Sequence, residues 1–348
     1  MTSTRTRKLQ PSPLPPLAAL PLREPWPVVR VRPDGSYTTL GTLPISLSAV
    51  VRWDAAGGLW ALDAEQGTVT GYSVGPDGVH EVARDSLEQG FESADLAVAG
   101  GHIFVGGAAS SGGAYDPQGP LLRYKSALGG GPWSALPVPV EVGNGKAVDA
   151  LLVDGDRLIA VDDIVMPKWF LVYDLRAPEG PSLLEVIPLE QGVNETTLPG
   201  AAMSARWIAL RSKGAHMGGS YCAVTLYARG DLSRRGSFGE DRAWDSPKAS
   251  RFQGASWGGA VFVGETLLVA AGPAGLMTLD CRSLGTLDPD SPVARRRRTD
   301  FSRSVRCVVF PGVREVLDVV AVEACGGAFV IVKGASGRRA IWHSCTSG

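Results

Sequence analysis

Short apolar runs that alternate with tight turns recur along the whole chain. The clearest example is the segment Asp149–Asp163, DALLVDGDRLIAVDD. Ala150–Val153 and Leu158–Val161 are apolar, and an Asp-Gly-Asp sequence lies between them. Two apolar runs around an Asp-Gly turn predict a β-hairpin. We therefore take this hairpin as the unit from which the protein is built.

Six hairpins of this kind can be traced. They are Ser48–Asp63, Asp95–Gly106, Asp149–Asp163, Ala201–Arg211, Gly259–Ala271 and Asp318–Lys333. The fourth is the weakest copy because no glycine marks its turn. One or two further strand-like segments follow the hairpins, such as Thr68–Val74 and Val79–Ala83 in the first unit. The spacing between second strands runs from 44 residues, Leu59 to Ile103, up to 62 residues, Leu267 to Phe329.

Repeats of about 40–50 residues with four strands each are typical of β-propellers. Such a sheet cannot bury both faces alone, whereas sheets packed radially around an axis cover one another. The chain resembles bacterial β-propeller proteins in general architecture over roughly residues 26–345. The Gly-His and Trp-Asp motifs of WD40 blades are absent, and so is the double-Gly and aromatic pattern of kelch blades. The resemblance therefore points to no specific family. We predict an all-β, six-bladed propeller, with seven blades as the alternative if Ser304–Phe310 is an innermost strand.

The two ends of the chain suggest how the ring closes. The sixth unit supplies only the strands Asp318–Val322, Ala328–Lys333 and Arg339–His343. Trp26–Arg32 and Tyr37–Leu43 precede the first unit and have no blade of their own. We expect one or both to complete the last blade, because pairing there removes an exposed strand edge. Residues 1–25 are predicted to be a Pro-rich, disordered or extended leader, and residues 26–348 a single propeller domain.

Composition excludes several function classes. Lys and Arg number 34 and Asp and Glu 35, so no global positive field attracts nucleic acid, which is not expected as a partner. No stretch approaches about 18 uninterrupted apolar residues, so no membrane contact is predicted. The N-terminus lacks the apolar core of a signal peptide. The 5 cysteines form no CxxC pair, and we expect buried, reduced thiols in a cytoplasmic protein.

Motifs that carry chemistry are missing from the sequence. It contains no GxSxG, GxxxxGK[ST] or HExxH pattern, so we predict no catalytic residue, no metal site and no cofactor. Asp154, Asp156, Asp162 and Asp163 cluster around one hairpin and would offer oxygen ligands to a hard cation. Aspartate at such a turn is explained more simply by hydrogen bonds to its own backbone.

Several polar residues remain as candidates for a binding site at the mouth of the central channel. His102 follows a Gly-Gly turn and is expected at a blade end. His216 lies in a Gly-rich loop of the kind that borders pockets. Arg206, like Arg52, precedes a tryptophan in a predicted innermost strand, from which a guanidinium could bind an anion. The candidate set at the channel mouth is therefore His102, Asp162, Asp163, Arg206 and His216.

Four consecutive arginines are the most unusual local feature. Arg295, Arg296, Arg297 and Arg298 lie within the polar segment Arg282–Arg303. A charge run of this kind is ordinarily a solvated loop. It would also suit contact with an acidic partner, or cleavage by an Arg-specific protease at an exposed loop.

We interpret the protein as a non-enzymatic interaction module or scaffold that binds a protein partner, because no catalytic set is assembled in the sequence. Two alternatives stay open. One is a hydrolase- or lyase-like enzyme that acts on a small molecule at the channel mouth. The other is a carbohydrate-binding propeller in which some of the 9 tryptophans stack on sugar rings. Fold alone does not choose between them.

Overall fold

The computed structural model describes most of the chain. It covers residues 19–21, 26–46 (except 33 and 35), 49–88 (except 55 and 56), 91–109, 122–127, 131–138, 147–162, 168–189 (except 178), 195–240 (except 217 and 218), 257–284 and 299–345 (except 336). These residues form β-strands joined by turns, together with two 3₁₀ turns at Cys281–Ser283 and Glu323–Cys325. None of the helical turns in these ranges is long and apolar enough to cross a membrane.

Twenty-seven strands are present in these ranges. The first three are β1 (Ala19–Pro21), β2 (Trp26–Val31) and β3 (Tyr37–Leu43). The first blade contains β4 (Val50–Trp53), β5 (Leu59–Asp63), β6 (Thr68–Gly75) and β7 (Gly78–Ser86). The second blade contains β8 (Phe91–Ala99), β9 (His102–Ala109), β10 (Leu122–Ser126) and β11 (Ser134–Ala135). The third contains β12 (Val148–Asp154), β13 (Arg157–Asp162), β14 (Trp169–Asp174) and β15 (Ser182–Pro188).

The remaining blades follow the same plan. The fourth contains β16 (Glu195–Met203), β17 (Trp207–His216), β18 (Gly219–Ala228) and β19 (Arg234–Glu240). The fifth contains β20 (Ala260–Val263), β21 (Thr266–Ala270), β22 (Leu276–Asp280) and β24 (Arg306–Val308). Between them in the chain, β23 (Thr299–Asp300) adds a parallel strand to β19. The sixth contains β25 (Val313–Val322), β26 (Gly327–Gly334) and β27 (Gly337–Ser344).

Within each blade the strands are antiparallel neighbours in chain order, so the first strand is innermost and the last outermost. Innermost strands of consecutive blades contact one another from β4 through to β25. The protein is a six-bladed β-propeller, as the sequence predicted. The segment Ser304–Phe310 supplies the outermost strand of the fifth blade, because β24 pairs with β22. It is not the innermost strand that the seven-bladed alternative required.

A short N-terminal strand closes the ring. Strand β1 pairs with β27, with Ala19 opposite Ile341 and Pro21 opposite Arg339. Closure by the N-terminus is confirmed, but the closing strand lies inside the predicted leader and is neither Trp26–Arg32 nor Tyr37–Leu43. Pro21 is tolerated there because an edge strand need not donate every backbone N–H. The other leader residues, 1–18 and 22–25, lie outside the described residues.

The hairpin of β2 and β3 forms a separate two-stranded sheet. One of its faces packs on the sixth blade, where Tyr37 meets the ring of Phe329 edge-on at 6.4 Å between centroids. Its other face packs on the first blade, where Val28 and Leu43 share a buried cluster with Tyr72. The hairpin therefore lies as a wedge between the last blade and the first, and it buries apolar side chains on both sides.

The hydrophobic core is divided into layers between neighbouring sheets. Buried clusters lie between the first and second blades, the second and third, the third and fourth, the fourth and fifth, and the fifth and sixth. Each layer takes alternate side chains from two sheets, because successive residues of a strand point to opposite faces. Burial of this apolar surface is the main force that holds the blades side by side.

The cysteines only partly match expectation. Cys281, Cys307, Cys325 and Cys345 are thiols rather than disulfides. Cys281 is buried, and burial raises the pKa of its thiol to about 12. Cys307 is exposed, because it lies on the short outermost strand β24 of its blade. Buried thiols are therefore confirmed for Cys281 and wrong for Cys307.

Ion pairs also join neighbouring blades. Asp154 at the end of β12 accepts hydrogen bonds from Arg157 of its own turn and from Arg229 of the fourth blade, whose Nε lies 3.0 Å from Oδ1. Arg229 also donates to the carbonyl oxygen of Ser204 at 3.0 Å. Burial by itself would raise the pKa of Asp154, but the hydrogen bonds from Arg229 and Arg157 outweigh it and hold the pKa below 3.8.

We expect Asp154→Asn to lower the free energy of unfolding by about 1–3 kcal/mol at pH 7, because two guanidinium groups lose their shared carboxylate. The pKa of Asp154 is lowered in the folded state, so this stabilisation is present above pH 3.8 and is lost as the pH falls below it. Urea unfolding at pH 7, 5 and 3.5 measures the effect. Glu81→Gln, which breaks an exposed pair with Arg84, is the control and should change little. An equal loss in both variants would contradict the prediction.

Candidate functional site

Four charged side chains from four blades converge at the axis of the propeller. They are Arg52 on β4, Asp95 on β8, Arg211 on β17 and Asp318 on β25, and we call them the axial cluster. Three lie on innermost strands, and Arg211 reaches the axis from the second strand of the fourth blade. Charges that apolar runs carry towards the centre of a protein are retained only if they are paired or hydrogen bonded.

Asp95 is fully buried and links three consecutive blades. Its Oδ1 accepts hydrogen bonds from Nη2 of Arg52 at 2.7 Å and from the backbone N–H of Leu96 at 2.8 Å. Its Oδ2 accepts from the backbone N–H of Leu151, on the innermost strand of the third blade, at 2.9 Å. Both oxygens of this carboxylate are therefore engaged, and the first, second and third blades are joined through one side chain.

Arg52 extends from the first blade across the channel to the fourth. Its Nη2 would lie only 3.9 Å from a Cβ placed on Gly200, and the Nη2 of Arg211 would lie 3.4 Å from the same position. Gly200 has a φ of +81°, which disfavours any other residue. Arg211 donates to the carbonyl oxygen of Gly200 at 3.3 Å. Two guanidinium groups from facing blades therefore meet beside one glycine.

The second carboxylate of the cluster is Asp318 of the sixth blade. It accepts a hydrogen bond from the backbone N–H of Val319 at 2.7 Å. A Cβ on Gly259 would lie 1.6 Å from the Oδ1 of Asp318. Only glycine at position 259 therefore lets the fifth blade approach this carboxylate. Burial raises the pKa of Asp318 against the opposing effects of the Val319 hydrogen bond and the charges of Arg211 and Arg52. Burial also lowers the pKa of Arg211.

Two of the residues predicted from the sequence lie at the hairpin end of the propeller, where the first and second strands of each blade are joined. His102 opens β9 at a blade end, as expected, and its Nδ1 lies 2.9 Å from the carbonyl oxygen of Gly100. Arg206 is exposed and its guanidinium stacks on Trp207 at 5.6 Å. Arg206 lies in the turn after β16 and not in an innermost strand. The hydroxyl of Ser204 accepts a hydrogen bond from the backbone N–H of Arg206, and this contact follows the end of the strand.

Two other predicted residues lie at the opposite end. Asp162 is the last residue of β13 and is fully buried. Burial raises the pKa of the nearby Tyr173 phenol, and the charge of Asp162 raises it further. His216 is the last residue of β17, and only its backbone is described. All second strands run away from the hairpin end, so the predicted set is divided between the two mouths. Asp163 and Arg295–Arg298 lie outside the described residues.

Sequence reasoning selected Arg52 only in passing and missed Asp95, Arg211 and Asp318 as a group. One signal was available: Asp95 and Asp318 each open a hairpin unit, and Arg211 closes one. A charged residue at the edge of an apolar run marks a position where the strand meets either solvent or the axis. Within the described ranges, no three His, Cys, Asp or Glu side chains are grouped so that they could hold a metal ion.

No protein-family model and no curated protein matches this sequence. Solved structures do match. Hydrazine synthase from Kuenenia stuttgartiensis is similar with a TM-score of 0.63 and 11% identity, over 91% of this chain and 95% of that one. A proposed 6-phosphogluconolactonase from Bacteroides fragilis NCTC 9343 has a TM-score of 0.55 and 10% identity, over 93% and 91%. Another from Bacteroides uniformis ATCC 8492 has 0.54 and 9%, over 88% and 86%.

These likenesses show the fold. At such identities they carry no substrate or catalytic residue across to this chain. The charges, distances and exposure of the axial cluster, in contrast, belong to this sequence.

Asp95→Asn should destabilise the folded protein by about 2–3 kcal/mol, because an amide nitrogen must then face either Arg52 or the N–H of Leu151, donor against donor. Thermal or urea unfolding measures the loss. Arg52→Gln combined with Asp95→Asn should cost less than the sum of the single changes, since both remove one ion pair. Asp174→Asn, whose partner Arg176 is exposed, serves as the control. Strict additivity of the two axial changes would refute the pairing.

Proposed function

We propose that this propeller is a non-enzymatic interaction module that holds a small anionic ligand in its channel through Arg52. The observation that carries the proposal is that the guanidinium of Arg52 is partly exposed and only partly hydrogen bonded. Its side chain is 36% exposed, and among the described residues only Asp95 and the carbonyl oxygen of Val51 accept its hydrogen bonds. Arginine has five N–H donors, so three remain for a carboxylate, phosphate or sulfate group.

The charges around Arg52 support an anion. Arg211 brings a second positive charge to the same glycine, so an anion bound beside Arg52 would also be attracted by Arg211. Asp95 offsets one of these charges. Asp318 lies within the electrostatic influence of both guanidinium groups, and burial raises its pKa, so this carboxylate is protonated more readily than an exposed aspartate. Surrounding protein also strengthens the field of fixed charges relative to open water.

The engagement of Asp95 favours binding over catalysis. A general base needs a carboxylate oxygen that is available to take a proton from substrate. Both oxygens of Asp95 already accept hydrogen bonds from Arg52 and from backbone N–H groups. This carboxylate therefore suits the task of orienting Arg52. Chemical conversion of a bound ligand would instead favour the hydrolase- or lyase-like alternative.

Isothermal titration calorimetry with acetate, inorganic phosphate and sulfate tests the proposal. We expect saturable binding of at least one anion and a rise in melting temperature that follows ligand concentration. Arg52→Gln should weaken that binding at least about tenfold, the loss of one charge-assisted hydrogen-bond pair. Arg84→Gln removes an exposed arginine of the same blade and should leave affinity unchanged. Absence of binding by all three anions, or equal loss in both variants, would overturn it.

A protein partner with an acidic surface is a second candidate, favoured by the charges at the end of the sixth blade farthest from its hairpin turn. Arg314, Lys333 and Arg338 are exposed there on three neighbouring strands, with Arg339 half-buried beside them and Glu315 as an opposing charge. Lys333 and Arg338 are direct cross-strand partners, and like charges in that position destabilise a sheet unless something offsets them.

A contact through Arg295–Arg298, which lie outside the described residues, stays a separate prediction from this sixth-blade surface. We expect an acidic peptide such as oligoglutamate to bind at low salt and to be released at high salt. The double change Lys333→Glu with Arg338→Glu should abolish binding, whereas reversal of Arg84 on the first blade should not. Salt-independent binding, or equal loss with the Arg84 variant, would exclude the sixth blade as the contact.

A further inference from the structure

We infer that the axial ligand is an aromatic or similarly planar acid, with its ring on Trp53 and its anionic group on Arg52. This inference rests on the proposed function and names the chemical class of the ligand. It starts from an exposed tryptophan beside the partly exposed arginine of the axial cluster. Both belong to β4, the innermost strand of the first blade.

Trp53 is 56% exposed, although tryptophan side chains are ordinarily well covered. Trp60, Trp207, Trp257 and Trp342 are all buried in this protein. Trp53 is also the last residue of β4 before the turn, so it stands at the hairpin-end mouth of the channel. A large exposed ring at a channel mouth is a surface on which a planar ligand can stack.

A second apolar side chain is exposed on the facing innermost strand. Val320 of β25 is 48% exposed. Val322, two residues further along, packs towards the wedge hairpin, and Val51, two residues before Trp53, does the same from the first blade. Alternate residues of a strand share a face. Trp53 and Val320 therefore point into the space between the first and sixth blades.

The wedge hairpin accounts for that space. Innermost strands of the other consecutive blades are in close contact, whereas any contact between β25 and β4 is weaker in the described part of the chain. Strands β2 and β3 lie between the two blades and pack against Val51 of β4 and Val322 of β25. Trp53 and Val320, on the same faces of these two strands, are left exposed.

The relation between Trp53 and Arg52 sets the shape of the ligand. Consecutive residues of a strand point to opposite sides, so their side chains flank the axial edge of β4. The head of Arg52 lies deeper, beside Gly200, while the ring of Trp53 lies at the mouth. A molecule that extends from the mouth towards the axis meets an apolar surface first and a guanidinium second. An inorganic anion would bind the guanidinium of Arg52 and would make no use of the ring of Trp53.

Comparison of benzoate with acetate tests the inference, with binding followed by calorimetry and by quenching of tryptophan fluorescence. We expect benzoate to bind at least about tenfold more tightly than acetate. Trp53→Ala should remove that preference and leave acetate affinity unchanged, and Trp53→Phe should keep most of it. Val82→Ala, at an exposed valine of the outermost strand of the same blade, is the matched control. Melting temperatures without ligand check that each variant is folded.

The possible outcomes separate the two proposals. Equal affinity for acetate and benzoate would overturn the aromatic class and leave anion binding at Arg52 intact. Loss of acetate binding in Trp53→Ala would show that the ring supports the strand and does not contact the ligand, which also overturns the inference. Failure of every anion to bind the unmodified protein would overturn the proposed function and this inference together.

Discussion

The structure depends on the pairing of buried charge at the axis of the ring. Asp95 has no accessible surface, and its two carboxylate oxygens accept hydrogen bonds from Arg52 and two backbone N–H groups. Those donors belong to three successive blades. Hydrophobic packing between the sheets holds the blades together but is not directional. The hydrogen bonds of this carboxylate are directional and align the innermost strands. Packing and alignment are thus provided by different forces.

Closure of the ring imposes a second constraint, which the chain meets in an unusual way. A three-residue strand, β1, completes the sixth blade through backbone hydrogen bonds. The wedge of β2 and β3 then packs between the last blade and the first, where the contact between β25 and β4 is weaker than that between other neighbouring innermost strands. The exposed Trp53 and Val320 lie on the faces of β4 and β25 that border the wedge, so ring closure and the candidate site involve the same pair of blades.

The axial cluster shows how one set of charges serves two purposes. Both oxygens of Asp95 accept hydrogen bonds, and this carboxylate orients Arg52, whose side chain is 36% exposed. Asp318 is held in surroundings that raise its pKa, and Arg211 adds positive charge beside Gly200. A site of this kind is rigid because the groups that bind a ligand are also the groups that join the blades. As a consequence, most substitutions within the axial cluster affect folding as well as binding.

The sequence by itself determined the hairpin repeat and the strands within it and favoured six blades, while the pairing of β24 with β22 excluded seven. The repeat and its strands follow from local alternation and turn chemistry, as at Asp149–Asp163, where one strand and its partner are neighbours in the chain. It did not reveal β1, since three residues paired through their backbone leave no periodic pattern. It also could not assemble the axial cluster, because Arg52 and Asp95 are separated by 43 positions and meet only where the blades converge. Only the tertiary structure decided which charges share the axis.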